Sequence, residues 1–143
     1  MAETIAYSGP RIAPEKVAEG VLKTGIEPIP DSFHKKPKDG HRCACGLGIA
    51  LAARFGVPTL ARVGNKANNM QDPCVVFDKL GLDEHYGCAF VDGFDDFNSD
   101  FYSDFYSKLC NPVMYAGWTD GVASRIAADA AWAQLQAADK ADA

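Results

Sequence analysis

The sequence predicts an all-α or mainly α protein, a compact single domain of five or six helices with at most short β pieces. Three observations carry that expectation. Pro14, Pro73 and Pro112 each stand where a helix would begin, a position at which the missing N–H costs nothing. Apolar residues recur at three- and four-residue steps in the segments that follow them. No alternating run is long enough to argue for a substantial sheet. A chain of 143 residues suits one domain over 1–143, with 1–13 as an extended arm and 139–143 as a frayed tail.

The first helix is expected from Pro14, behind the poor cap Ala13, with Val17, Val21 and Leu22 on one face and Gly25 as its stop. The segment 26–40 reads as a loop with a short extended piece at Ile26–Ile29. Cys43–Phe55 is nearly all apolar and small, and Gly56 follows it; it is expected to be the central buried helix. Val57–Gln71, with Pro58, Gly64, Lys66 and three Asn, reads as a loop with a short extended piece at Thr59–Val63. Asp72 caps the next helix at Pro73, and Gly81 ends it in the left-handed conformation.

Two helices are expected over Asp83–Asp92 and Ser99–Cys110, broken by Gly93 and the run Asp95–Ser99, with Asn98 or Ser99 as the second cap. Asn111 then caps the longest helix, Pro112 to about Ala138, which should pack across the central one. Ala89-Phe90-Val91-Asp92-Gly93 and Gly117-Trp118-Thr119-Asp120-Gly121 share a small-aromatic-x-Asp-Gly pattern. Glycine inside a helix costs about 1 kcal/mol, so both copies are expected where two helices approach closely.

The net charge of -5 conceals an asymmetry. Residues 1–71 carry ten Lys/Arg against six Asp/Glu, and residues 72–143 carry four against thirteen. Either the halves attract one another, within a chain or between copies, or the acidic half addresses a basic surface elsewhere. Phosphates would be repelled by that half, so no nucleic acid is expected as a ligand. No run approaches the roughly 20 apolar residues of a membrane helix, so no membrane partner is expected. The first residues lack the basic and apolar regions of a secretion signal. Five cysteines then fit reduced thiols and a cytoplasmic setting.

The acids concentrate in Ala89–Leu109, where Asp92, Asp96, Asp100 and Asp104 recur every four residues among Phe90, Phe94, Phe97, Phe101 and Phe105. On a helix this pattern gives an apolar stripe beside an acidic one. Tyr102 and Tyr106, four apart and off the Phe stripe, are the expected exposed anchors. The binding residues expected are therefore Asp92, Asp96, Asp100, Asp104, Tyr102 and Tyr106.

Nucleophilic chemistry would centre on Gly40-His41-Arg42-Cys43-Ala44-Cys45-Gly46, because a cysteine at a helix N-terminus near basic groups can be activated. Cys45-Gly46-Leu47 opening an Ala-rich helix that ends Ala53-Arg54-Phe55-Gly56, with His85-Tyr86 followed by Phe90-Val91-Asp92-Gly93, resembles papain-like, bacteriocin-processing cysteine peptidases. The resemblance implies Cys45 as nucleophile and His85 as base. His41, Cys43, Cys45, Cys74, His85, Cys88 and Cys110 are of zinc-ligand type, and His85-x-x-Cys88 would place two on one helical face. There is no Cys-x-x-Cys pair, and His41-x-Cys43-x-Cys45 is tighter than the usual zinc spacing. Buried small hydrophobes are the expected role of the thiols, with no metal and no cofactor.

The function expected from the sequence is a small protein-binding module whose acidic-aromatic helical surface occupies a basic surface of a protein partner. An inhibitor of phage type that mimics nucleic-acid charge would be one example. The alternatives are a cysteine hydrolase using Cys45 and His85, and a self-assembling structural subunit forming a homo-oligomer through its oppositely charged halves.

Overall fold

The computed structural model describes residues 7–36, 41–108 and 111–142. The fold is mainly α. Seven helices among the described residues, α1 Pro14–Thr24, α2 Gly46–Phe55, α3 Val57–Met70, α4 Cys74–Leu80, α5 Glu84–Asp95, α6 Asp100–Lys108 and α7 Pro112–Asp142, accompany two two-residue strands, β1 Glu27–Pro28 and β2 Cys43–Ala44. No described helix is long and apolar enough to cross a membrane.

Most helix boundaries follow from local chemistry. Gly25 and Gly81 take left-handed φ values of 70° and 71° at the ends of α1 and α4, where a Cβ would be penalised. Asp72 accepts from the Cys74 N–H at 3.0 Å, so it caps α4 although the first regular residue falls one beyond Pro73. Asp83 accepts from the N–H groups of His85 and Tyr86. Ser99 Oγ accepts from Tyr102 N–H at 3.3 Å, and Asn111 Oδ1 from Met114 N–H at 3.0 Å. The end of α6 expected at Cys110 lies outside the described residues, as do residues 1–6 and 37–40.

Four expectations are corrected. Val57–Gln71 is not a loop with an extended piece at Thr59–Val63 but the helix α3, which buries Leu60, Val63, Gly64 and Ala67. Their spacing of three, four and seven is helical, and it outweighs the Gly and Asn content. Cys43 belongs to a strand, and α2 starts three residues later at Gly46 with Cys45 as its N-cap. Gly93 does not break α5, which continues to Asp95. Finally, α7 packs chiefly on α5 and α1, with only slight contact to α2.

The central position expected for α2 holds, since every residue from Gly46 to Ala52 is buried. The closest packing is elsewhere, at the α5–α7 seam. A Cβ at Gly117 would overlap the Tyr86 carbonyl oxygen, one at Gly121 the Phe90 carbonyl oxygen, and one at Gly93 the Trp118 carbonyl oxygen. The two copies of the glycine pattern thus face each other and let backbone meet backbone. The chain before α1 is tied to this pair. Arg11 donates two hydrogen bonds to Asp120 at 2.8 and 2.9 Å, Tyr86 donates its hydroxyl proton to Asp120 at 2.6 Å, and Ile12 N–H donates to the Tyr86 hydroxyl. Asp120 is buried, and three donors satisfy it.

Candidate functional site

The aspartates spaced by four do not form one stripe. Helix α5 ends at Asp95, Asp96 leaves the helical conformation with φ −123°, and α6 begins afresh at Asp100. Asp92 is half-buried on α5, and its Oδ2 accepts from the Tyr106 hydroxyl at 2.6 Å. Burial raises the Asp92 carboxyl above the ordinary carboxylate range, the Tyr106 hydrogen bond opposes this, and the Asp96 charge adds to it. Asp96, Asp100 and Asp104 are exposed.

The break also rotates α6 out of phase with α5, which corrects the expected anchors. Tyr106 is buried and stacks on Trp118, with ring centroids 5.0 Å apart and planes 12° from parallel. Tyr102 is half-buried, 6.1 Å from Trp118 and 6.2 Å from Tyr106. These rings hold α6 to α7 rather than offering it to a partner. The exposed aromatic of α6 is Phe101, at 74% the most open of the large hydrophobic residues among those described. Phe90 and Phe94 of the same sequence stripe are fully buried in the core. Phe101 is reached by following the Phe periodicity across the Asp96–Ser99 turn, where the helical phase is lost.

Cys45 and His85 are not brought together. Cys45 is buried at the start of α2 and lines a cleft of about 690 Å³ with Asp95, the last residue of α5. His85 is exposed in the first turn of α5. Ten residues of helix separate Asp95 from His85, roughly 15 Å at the α-helical rise. His85 also stands on a helix, where the resemblance to cysteine peptidases implies a strand.

The cleft does not activate the thiol by another route. Burial first, and the Asp95 charge second, push the Cys45 thiol up to about 12 against the opposing pull of the first amides of α2. A thiol held protonated is a poor nucleophile. His34 lines the same cleft, but both of its ring nitrogens are occupied, Nδ1 by Asn65 Oδ1 at 2.6 Å and Nε2 by Arg42 Nη1 at 2.6 Å. Arginine only donates, so Nε2 accepts and Nδ1–H donates to Asn65. No lone pair remains to take a proton from Cys45. Asp95 is itself pushed up to about 7, chiefly by burial, and its Oδ1 is buried without a hydrogen-bond partner.

Among the described residues, one group of side chains has metal-ligand geometry. Glu27, His41 and Cys43 place a carboxylate oxygen, an imidazole nitrogen and a sulfur within 4.8 Å of one another. His85 and Cys88 lie exposed on α5, Cys74 is partly buried on α4, and Cys110 lies outside the described residues. Sequence reasoning identified His41 and Cys43 as ligand types and missed Glu27, which lies far off in sequence and arrives through the pairing of β1 with β2.

The acidic helix, the inert thiol cleft and the ligand trio are the candidates that the fold presents. In comparison with known protein families, curated proteins and solved structures, nothing matches the chain.

Proposed function

We propose that the protein is a binding module that docks α6 onto a basic, partly apolar surface of a protein partner. The observation that carries this reading is Phe101, 74% exposed on a short helix between the exposed carboxylates Asp100 and Asp104. Leaving a phenylalanine in water forgoes about 2 kcal/mol of burial, and a partner pocket would recover it. Asp96 and Asp100 make no ion pair with another described residue. They are therefore available to steer a cationic partner at low salt. Tyr102 and Tyr106 serve as the mount, Tyr106 stacked on Trp118 and Tyr102 on Tyr106, so that α6 keeps its orientation on docking.

A photo-crosslinking amino acid at position 101, in the full chain expressed in its source cells, tests the reading. Ile126 of α7, 57% exposed, provides the control position. The expected result is a discrete adduct from position 101 with a basic protein, absent from position 126 and weakened by the combined change of Asp96, Asp100 and Asp104 to Asn. Equal adduct patterns from the two positions would remove α6 as the docking element.

A further inference from the structure

We propose that Glu27, His41 and Cys43 form a binding site for a divalent transition-metal ion, zinc by preference, with one coordination position left to water. The argument rests on strand geometry and is independent of the reading of α6. β1 and β2 pair in parallel with Glu27 opposite Cys43, and partnered residues of a parallel ladder project to the same face. His41 precedes Cys43 by two residues along chain whose backbone is held to β1 by the hydrogen bond from Glu27 N–H to Arg42 O at 2.9 Å. A period of two returns its side chain to that face as well. His41-x-Cys43 is thus a strand spacing, and a spacing too tight for a helical or knuckle zinc site becomes suitable.

The donors fit one ion. Tetrahedral zinc with bonds of about 2.0–2.3 Å separates its ligand atoms by roughly 3.3–3.8 Å, and the three donors here all lie within 4.8 Å of each other. The Nε2 atom of His41 already meets the Glu27 carboxylate, so the nitrogen facing the site is the one that would bind. The His41 ring lies 5.1 Å from the Trp132 ring of α7, which limits its rotation from outside. Cys43 is buried while His41 is exposed, which gives the ion a solvent-side approach. Antiparallel hydrogen bonds between Lys35 and Cys43, at 2.8 and 2.7 Å, fix the backbone that carries the sulfur.

The donor chemistry selects the ion. Calcium and magnesium take oxygen ligands, whereas a thiolate with an imidazole favours zinc and its neighbours. One thiolate, one carboxylate and one neutral imidazole balance a divalent charge. Three protein donors leave the fourth tetrahedral position to water, as in zinc sites that stay open to exchange.

Cobalt(II) titration of the full chain, purified under reducing conditions and stripped with a chelator, tests the site. The expected result is one equivalent bound, with visible d–d bands of tetrahedral intensity and a sulfur-to-cobalt charge-transfer band, all displaced by zinc. Cys43→Ser should abolish the charge-transfer band, while Cys45→Ser and Cys74→Ser should keep it. Glu27→Gln and His41→Ala, at less buried positions, should each weaken zinc binding at least about tenfold while circular dichroism shows the helices intact. They keep the test decisive if Cys43→Ser does not fold. Zinc binding weaker than about 1 μM in the parent chain, a charge-transfer band that survives Cys43→Ser, or unchanged affinity in both Glu27→Gln and His41→Ala would overturn the assignment.

Discussion

The α5–α7 seam and helix α6 are built from the same vocabulary, aromatic rings and aspartates, and use it in opposite ways. At the seam, Tyr86, Phe90 and Phe94 are fully buried and Asp120 is saturated with donors. On α6, Phe101, Asp100 and Asp104 face solvent. The difference is made by glycine. Gly93, Gly117 and Gly121 bring two backbones together, so rings that flank the contact are carried into the core. No glycine interrupts α6, which meets α7 through side chains, Tyr102, Phe105 and Tyr106 packing with Met114, Trp118 and Val122, and leaves Phe101, Ser103 and Asp104 exposed. An acidic-aromatic pattern therefore says little about exposure until the approach distance of the neighbouring helix is known.

The largest break in this comparison comes from filling the seam. Gly121→Ala places a methyl group against the Phe90 carbonyl, with the Phe94 N–H 3.0 Å away. The atoms it meets are all main chain of α5 and leave little room to relax, so the expected loss is about 3 kcal/mol. Urea denaturation checks this, and Ser103→Ala on the exposed face of α6 should change stability by less than about 0.5 kcal/mol.

An intermediate effect is expected from Asp95, which joins the two regions at the end of α5. Its carboxyl is raised from 3.8 to about 7 by burial, with the Asp31, Asp96 and Asp92 charges adding and a backbone hydrogen bond from Asp31 opposing. The folded chain therefore holds a proton between those values that the unfolded chain has released. This contribution to stability is complete below pH 3.8 and fades as pH rises to about 7. Cys45, His34 and Lys35 line the same cleft. Asp95→Asn should remove that slope and be more stable than the parent at pH 8 by about 1–2 kcal/mol, allowing for partial exposure. Parallel denaturation curves at pH 5 and pH 8 decide it; an unchanged pH dependence in the variant would count against a protonated Asp95.

The smallest effect sharpens the contrast from the other side. Changing Asp96, Asp100 and Asp104 together to Asn, with or without Phe101→Ser, should alter stability by less than about 0.5 kcal/mol. Thermal unfolding gives the measure. A loss of several kcal/mol would mean that the carboxylates serve the fold and not a partner.

How much of this was legible depends on whether a signal was local. Caps and stops were, because Asp72, Gly81, Ser99 and Asn111 act on residues beside them. The seam was legible in part, since the repeated small-aromatic-x-Asp-Gly pattern predicts close approach without naming which helices meet. Helix α3 was hidden by composition: Asn65, Asn68 and Asn69 suggest a loop, while Asn68 in fact donates to the His34 carbonyl and accepts from Phe33 N–H to hold the 32–34 turn. The facing of Tyr102 and Tyr106 depends on the phase lost across Asp96–Ser99, which no periodicity within either helix records. The Glu27, His41 and Cys43 trio was illegible for a stronger reason, because its third donor is supplied by a tertiary pairing.

The glycines of the seam also govern how this protein can change over generations. At Gly93, Gly117 and Gly121 the neighbour is a carbonyl oxygen of the main chain, so no compensating side-chain change elsewhere can make space for a larger residue. Those three sites have a vocabulary of one letter. The face of α6 around Asp100, Ser103 and Phe101 meets water and is free to vary at almost no cost to the fold. Sequence drift in functional copies of this chain should therefore be near zero at these three glycines of α5 and α7 and rapid on α6, except where a partner restrains it.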